Sequence, residues 1–447
     1  MAFTGVIMMD IPPPPQELYS RFMTEHLNLQ SRSWARDTAQ GDLHRFTYVS
    51  KAWKYEAERI IYDRVYVRGR NLLLFCRTLI ERPDLAKRVR VLEFCTAGKH
   101  RRLPGELDLV KRMFQLVVNL KDLKFWGQPL YEWDVSGDII CVHRDWDVLK
   151  DVPFKLDRFV SSFYWHENLF EFLEQQPALR QFESLGHSNI SKEWIKGGFI
   201  APEVVLANCK ALRLEPYMTH TFTRLPPVTH LHLRLCQRPP IEEAHGAEEV
   251  ALFGEHLRVL MISRGVNRHR DDDYLAPAQI FKRFAGKTPK LSVVGMIDDV
   301  MWSPKDNKDV LRALTGNFPA LKAFIWGPKS SVASVTGLDV DGWGTSEDDG
   351  YSTLSDDDAD QMDKVEIFAT DMMIAVPSLE FFFVVGEGRG CYAFSKDLCP
   401  EDDEYHIHRR GVALSAVDTS LFSFIDPEFP FDLFGESRLF DGRFDVE

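Results

Sequence analysis

The chain has 447 residues, of which 45% are hydrophobic and 12% aromatic, and this composition is typical of a folded globular protein. Its formal net charge of −13 disfavours nucleic acid as a general partner, because binding to phosphates requires a positive field. No run of roughly 18 apolar residues occurs, so the sequence predicts no membrane span and no membrane partner.

The first sixty residues predict two helices and a strand. A proline run ends at Pro15 and prevents a helix before it, so the first helix is expected to begin near Gln16. Apolar residues at helical spacing predict a second helix over 41–61, with Asp42 as its N-cap. Alternating residues over 62–67 then predict a strand that leads into the rest of the chain.

Nine short segments further along follow one template, in which the first, fourth and sixth residues are apolar. The segment from Leu179 departs from it, because Ser184 takes the last apolar place. Four of the nine follow a Pro-x-Leu entry, and a short strand repeated behind a repeated turn is typical of a solenoid. The segments begin at Val89, Leu120, Leu179, Cys209, Val228, Leu257, Leu291, Leu321 and Leu379.

Many of these segments follow a stretch with helical periodicity, so the repeating unit is predicted to be a helix, a turn and a strand. The strand starts are 31, 59, 30, 19, 29, 34, 30 and 58 residues apart, and the 59-residue gap leaves room for one more strand over 156–160. The predicted helices include 71–82, 106–118, 166–176, 277–286 and 307–316.

The array predicts an α/β fold over residues 63–400, namely a curved, irregular leucine-rich-repeat-like solenoid with a mostly parallel sheet. Its periods exceed the roughly 20–29 residues of a regular leucine-rich repeat, and most units lack the usual asparagine. The alternative is an ordinary α/β sheet in which the template recurs by chance. Strands that lie out of chain order, or a closed barrel, would contradict the solenoid.

In each predicted strand the template residues point into the stack, and the residues between and after them point to the concave face. That face combines apolar, aromatic and charged side chains, which suits the binding of another protein. The candidate target-binding residues are Lys124, Trp126, Arg213, His232, Arg234, Met261, Ile325 and Phe383, and Glu93 and Glu183 share the face.

Residues 42–67 resemble the second half of a fungal F-box. They contain Leu43, then the V-S-K-x-W motif from Val49 to Trp53, and then a tyrosine-containing strand. Residues 10–27 are similar to the first half, with a proline run in place of the compact Leu-Pro-x-Glu entry. Residues 71–94 resemble the first unit of the irregular repeat domain that follows the F-box in many fungal proteins.

The resemblance implies a helical F-box-like module over 10–62 that docks onto the Skp-type adaptor of a cullin ubiquitin ligase. The repeats would hold an unknown protein substrate, and no residue of the chain would perform covalent chemistry. The alternative is a non-catalytic scaffold in which these helices only cap the solenoid. The expected adaptor-binding residues are Pro15, Leu18, Phe22, Leu43, Val49 and Trp53.

Two later segments differ from the repeats. Residues 339–363 contain ten acidic residues and no basic one, so they are expected to form a disordered acidic insertion that cannot bury enough apolar surface to order itself. Residues 401–447 are rich in phenylalanine, and a packed C-terminal cap is expected because so many exposed aromatic side chains would promote aggregation.

Signals for catalysis and metal binding are weak. Gly286-Lys287-Thr288 matches the end of a phosphate-binding loop, but the first glycine of that motif is missing and a helical pattern precedes it, so Gly286 is predicted to end a helix. His406 and His408 share one side of a strand without an evident third metal ligand. The sequence therefore predicts no enzyme, no metal and no cofactor.

The seven cysteines are dispersed, odd in number and without a Cys-x-x-Cys pair. This pattern favours buried thiols in a reducing compartment, the cytoplasm or the nucleus, over a disulfide framework or a zinc site. The N-terminus has no basic start and no cleavage site, so no signal peptide is predicted.

Overall fold

The computed structural model describes residues 23, 43–68, 71–95, 106–126, 130–133, 139–142, 148–161, 167–184, 203–215, 218–235, 240–264, 275–298, 302–328, 356–385, 390–398 and 405–413. The predicted first helix, apart from Met23, lies outside these residues. So do residues 339–355 of the acidic insertion and all of the expected C-terminal cap except 405–413.

In the described part of the chain, thirteen strands form one sheet, and the first eleven of them are parallel and lie in chain order. The last two are antiparallel and end the sheet, while two further strands, Leu130–Trp133 and Ile139–Val142, form a separate antiparallel pair. Chain order and parallel pairing confirm a solenoid-like α/β arrangement. The strands are β1 Arg64–Arg68, β2 Val91–Cys95, β3 Asp122–Trp126, β4 Leu130–Trp133, β5 Ile139–Val142, β6 Arg158–Ser161, β7 Gln181–Ser184, β8 Ala211–Leu214, β9 His230–Arg234, β10 Val259–Ser263, β11 Val293–Asp298, β12 Ala323–Pro328, β13 Phe381–Val385, β14 Gly390–Leu398 and β15 Tyr405–Ala413.

All nine template segments form strands, and the extra strand expected over 156–160 is present as β6. A helix precedes most of the parallel strands, as predicted. Among the described residues, turns over 203–208 lie directly before β8, and a short 3₁₀ helix, Met218–Thr221, lies between β8 and β9. The helices are α1 Lys51–Asp63, α2 Asn71–Glu81, α3 Pro83–Ala86, α4 Glu106–Phe114, α5 Glu167–Glu174, α6 Pro240–Phe253, α7 Pro277–Phe284, α8 Pro304–Leu314 and α9 Asp356–Ala375.

Local chemistry explains several helix ends. Ser303 caps α8 in a capping box with Asp306, and Gly286 and Gly316 follow α7 and α8 with φ angles of 70° and 75°. The helix-ending role predicted for Gly286 is therefore confirmed. Helix α9 begins at Asp356, inside the predicted disordered insertion, because a helix N-terminus favours the negative charge of successive aspartates.

A backbone ladder connects the repeats at the amino end of the sheet. From β2 to β12, the carbonyl of the residue immediately before each parallel strand accepts two N–H groups of the next repeat, at 2.8–2.9 Å and 3.0–3.1 Å. Both lone pairs of each carbonyl are thus used, and the register between neighbouring strands is fixed. We call these groups the carbonyl ladder: Arg90, Lys121, Asp157, Arg180, Lys210, Thr229, Arg258, Ser292 and Lys322.

The hydrophobic core lies between the helices and one face of the sheet. The first residue of every template segment is at most 1% exposed, and the fourth residues are equally buried. Near the C-terminal end this core is aromatic: Phe324 stacks on Phe382 with ring centroids 5.6 Å apart, and Trp302, Trp326 and Phe368 pack beside them. The template therefore marks the helix-facing side of each strand, as predicted.

The opposite face of the sheet contains one close approach that requires a glycine. A Cβ atom built on Gly295 would lie 1.9 Å from Met261 Sδ and 3.1 Å from Ile325 Cβ. Met261 on β10 and Ile325 on β12 flank Gly295 in register, and both are fully buried. The Met261 thioether therefore occupies the space that a side chain at position 295 would need.

A double-mutant cycle tests this packing. Gly295→Ala is expected to lower the free energy of unfolding by about 1–3 kcal/mol, because a buried methionine must leave its position. In a Met261→Ala background the same change should cost clearly less, because only the 3.1 Å approach to Ile325 Cβ remains. Urea unfolding of the four proteins gives the two values, and equal costs in both backgrounds would contradict the packing described.

Candidate functional site

The N-terminal module is built around a capped helix rather than one continuous helix. Residues 43–46 are helical, residues 47–49 form a turn, and Ser50 caps α1 by accepting a hydrogen bond from the Trp53 backbone N–H at 3.3 Å. The helix predicted over 41–61 is therefore interrupted. A serine before a helix competes for the backbone N–H groups, and Thr47 closes the turn by donating to the His44 carbonyl at 2.6 Å.

A small apolar cluster holds this module together. Met23, Leu43, Ala57 and Ile60 are buried against one another, apart from the main core, and Phe46 packs on Trp53 with ring centroids 5.0 Å apart. Leu43, expected to contact an adaptor, is instead fully buried inside the module. Its apolar side chain is needed for the module's own core, so it is not available to a partner.

The turn before α1 exposes an apolar edge. Tyr48 is 79% exposed and Val49 is 61% exposed, and the half-buried Trp53 follows one turn later. Val49 and Trp53 are thus accessible, as an adaptor-binding role requires. Pro15, Leu18 and Phe22 lie outside the described residues. We call Tyr48, Val49 and Trp53 the module edge.

The module is anchored to the first repeat. The Arg88 guanidinium lies 4.9 Å from the centre of the Tyr55 ring, and Arg82 lies 3.8 Å from the Glu58 carboxylate. Tyr62 at the end of α1 packs against the main core. Helix α1 therefore has a defined position relative to the sheet, and the module edge is held at one end of the repeats.

The predicted target-binding residues share one face of the sheet, as the pattern predicted. Successive strand pairs place Lys124, Arg213, His232, Met261, Ile325 and Phe383 in a single transverse row, which also contains Glu93, Val160, Glu183 and Gly295. Trp126 and Arg234 each lie two residues further along their strands, on the same face.

Burial differs from expectation along this row. Arg213, His232, Met261, Ile325 and Phe383 are at most 2% exposed, and Arg234 is 8% exposed. These six side chains are therefore not open to a partner in this conformation. The physical reason is that side chains in register on neighbouring strands pack on one another, as Met261 does over Gly295. Lys124 is the partly exposed exception, and the Trp126 side chain is not described.

At the N-terminal end of this face, cations and carboxylates of neighbouring strands pair with one another. Arg158 lies between Asp122 and Glu183 of its two neighbouring strands, and Lys124 and Arg213 each pair with a carboxylate on one neighbouring strand, which offsets the cost of removing these groups from water. Burial raises the pKa of Asp122, although the nearby Arg158 opposes that shift. The nitrogen–oxygen distances are 3.5 Å for Lys124–Glu93, 3.9 Å for Arg158–Asp122, 2.7 Å for Arg158–Glu183 and 3.6 Å for Arg213–Glu183.

His232 lies where the charged row meets the apolar part of the face. Its Nε2 lies 2.7 Å from Ser263 Oγ on the next strand. Burial, and then the positive charges of Arg213 and Arg234, hold the pKa of His232 well below its usual value. The imidazole is therefore neutral at physiological pH, which allows it to lie between two arginines.

A second buried ionic group connects three repeats at the carboxyl end of the sheet. Arg264, directly after β10, donates to both carboxylate oxygens of Glu243 at 2.8 and 3.3 Å and to Asp298 at 3.0 Å. It also donates to the Leu275 carbonyl at 2.7 Å, and Asp298 accepts from the Trp302 indole N–H at 3.0 Å. Burial raises the pKa of Glu243, while Arg264 opposes that shift.

This ionic group was missed by the sequence analysis. Its only local signal is an arginine directly after an apolar strand. The partners lie 21 and 34 residues away from Arg264, beyond the reach of any local pattern. All its charged members are paired, so the group stabilises the repeats and offers no open chemistry.

Comparisons with known proteins leave the family open. No protein-family model matches the chain, and no curated protein matches it significantly. Within the described ranges, no three side chains of the metal-ligating types come together, and no helix has the length and apolarity needed to cross a membrane.

Replacing Arg264 tests the ionic group. Arg264→Met is expected to lower the free energy of unfolding by about 3–5 kcal/mol, because Glu243 and Asp298 would remain buried without a cation. Arg283→Met is the matched control, since Arg283 pairs with Glu248 at the surface and should cost no more than about 1 kcal/mol. Similar losses in the two variants, measured by denaturant unfolding, would refute the assignment.

His232 gives a pH test. Because its pKa is lowered on folding, the unfolded chain takes up a proton below about pH 6.5 that the folded chain does not, so stability falls as the pH falls. From pH 7.5 to 5.5 the native protein should lose about 1 kcal/mol more than His232→Asn. His256→Asn, which changes an exposed histidine, should behave like the native protein. Parallel pH profiles for all three proteins would show that His232 titrates normally.

Proposed function

We propose that the chain is a non-catalytic substrate-recognition subunit of a Skp-cullin-F-box type ubiquitin ligase. The N-terminal module binds the Skp-type adaptor, and the repeat domain binds a protein target. The observation that carries this proposal is the module edge, where Tyr48 and Val49 are exposed directly before a capped helix.

The module edge has the character of a protein-binding site. A tyrosine and a valine at adjacent positions, with a tryptophan one turn later, supply aromatic and aliphatic anchors of the kind that dominate protein interfaces. Ser50 fixes the turn that presents them, which gives the V-S-K-x-W motif a structural reason. A surface module with an apolar core of its own can bind a partner without disturbing the repeats.

A connected arm suits this function. The module is anchored on the first repeat, and the carbonyl ladder runs from there to the last parallel strand. A target bound along the sheet would then be held at a restricted distance from the ligase, which raises the effective concentration of its lysines near the conjugating enzyme. Covalent chemistry would be left to the other subunits.

Target binding is best assigned to the N-terminal strands. Lys124 is partly exposed, and Trp126 follows it on the same face. The six buried members of the predicted set lie on the same face of later strands and would not contact the target directly: Arg213, His232, Arg234, Met261, Ile325 and Phe383.

The second candidate is a scaffold whose N-terminal helices only cap the solenoid. The burial of Leu43 inside the module favours it, as does the packing of α1 on the first repeat. The two candidates differ in adaptor binding, because helices that only cap the solenoid do not need to bind an adaptor.

Adaptor binding separates the candidates. The double variant Tyr48→Asp/Val49→Asp should reduce adaptor affinity at least about tenfold, because both anchors are lost from an otherwise intact surface. The control Ile241→Asp/Leu252→Asp places two acids at similarly exposed apolar positions of α6 and should bind normally. Affinity is measured by calorimetry with purified adaptor, after thermal unfolding shows that both variants are folded.

Two results would contradict the ligase assignment. Native protein that does not bind the adaptor at micromolar concentration would favour the scaffold. Full binding by the Tyr48→Asp/Val49→Asp variant would show that the module edge is not the docking site.

A further inference from the structure

The side chains of the carbonyl ladder form an exposed row along the amino end of the sheet. Each lies immediately before a parallel strand, so neighbouring members are one strand spacing, about 4.8 Å, apart. Six of the nine are basic, and the others are Asp157, Thr229 and Ser292. From β2 to β12 the row extends over about 40 Å. The basic members are Arg90, Lys121, Arg180, Lys210, Arg258 and Lys322.

Basic residues in the adjoining turns and loops extend this row. All of them are exposed or partly exposed. The acidic residues of the same region are fewer, namely Asp63, which lies 3.8 Å from Arg90, Asp151, Asp157, Glu203, Glu255 and Glu380. This concentration of cations contrasts with the net charge of −13 of the whole chain. We call the combined set the basic stripe, and its additional members are Lys87, Arg88, Lys155, Arg224, Lys287 and Lys290.

Some of these cations have a structural role, and others do not. Lys121 donates to the Lys155 carbonyl at 3.3 Å, Lys155 donates to the Gln175 carbonyl at 2.7 Å, and Lys322 pairs with Glu380. In contrast, the side chains of Lys210, Arg258 and Lys290 form no ion pair with any residue in the described part of the chain. Hydrogen bonds to backbone carbonyls therefore explain the presence of only some of the basic residues in the stripe.

We propose that the basic stripe is a binding site for an extended acidic segment of another protein. The site is long and narrow, and about twelve residues of extended chain would span its 40 Å. Arginine and lysine at every one or two strands match carboxylates spaced along such a segment, with arginine able to form paired hydrogen bonds to one carboxylate. This proposal does not depend on adaptor binding.

Shape and charge favour an acidic polypeptide over other anions. A single nucleic-acid strand is usually held by aromatic side chains that stack on its bases, and no ladder position is aromatic. A long nucleic acid would also extend beyond the stripe into the field of an acidic protein. A membrane would contact a broad surface, whereas the stripe is narrow. Salt screening limits the electrostatic attraction of each of its cations to a distance of about 8 Å.

The test uses a fluorescent peptide of about twelve residues, alternating glutamate and serine, with a glutamine-serine peptide as its uncharged match. The full-length protein should bind the acidic peptide with a dissociation constant below about 100 µM in 50 mM salt, and about tenfold more weakly in 300 mM salt. The uncharged peptide should not bind.

Two triple variants with the same change in net charge locate the site. Lys210→Glu/Arg258→Glu/Lys290→Glu reverses three cations of the stripe that form no ion pair within the described ranges, and should weaken binding at least about tenfold. Arg77→Glu/Lys305→Glu/Lys308→Glu reverses three exposed cations in the middle of α2 and at the start of α8, and should weaken it less than about threefold. Substitution of Lys210, Arg258 and Lys290 by glutamine removes their charge without reversing it. This milder change should give an intermediate loss of peptide affinity in a folded protein.

Three outcomes would overturn the proposal. One is the absence of binding to the acidic peptide. Another is an equal loss in the two triple variants, which would indicate a general charge effect. The third is tighter stripe-dependent binding to a twelve-nucleotide thymidine strand, or to vesicles containing phosphatidylserine, which would assign the stripe to nucleic acid or to lipid.

Discussion

One backbone carbonyl per repeat, accepting two N–H groups of the next repeat, determines how the whole array is built. Strand side chains alternate with a period of two, so a slip of one residue would exchange the helix-facing and the opposite sides. The ladder prevents such a slip at every junction. The burial of the template residues, the alignment of the charged row and the spacing of the basic stripe all follow from this register.

The sequence predicts the repeating part of this arrangement well, because the repeat is encoded locally. The template identifies the helix-facing residues even where Ser184 replaces an apolar residue, since Ser184 is buried in β7 like its neighbours. The 3₁₀ helix before β9 was not anticipated. Only residues 215–229 connect β8 to β9, too few for a helix of the length found in most other repeats, so the strand pattern persists there while the helix pattern does not.

The opposite face could not be predicted in the same way. Alternation indicates which side of a strand a residue occupies, but it does not show what covers that side. Arg213 and His232 have the composition of a solvated surface, yet each is buried and is compensated by a residue on a neighbouring strand. Leu43 and Val49 illustrate the same limit, because equally apolar residues of one motif are buried and exposed respectively, depending on tertiary contacts.

The two sets of cations in this sheet differ in how their charge is balanced. On the opposite face, Arg158 and Arg213 flank Glu183 within a low-dielectric environment, so their charges are largely cancelled. In the turns before the strands, a basic residue is solvated by water and lies near the negative C-terminal ends of several helices. A positive charge therefore costs little free energy in any single repeat. A solenoid repeats that local tolerance in register. A preference for basic residues that has little effect in one turn thus produces a row of positive charges about 40 Å long. Its members are spaced by the distance between strands, which a single turn cannot provide.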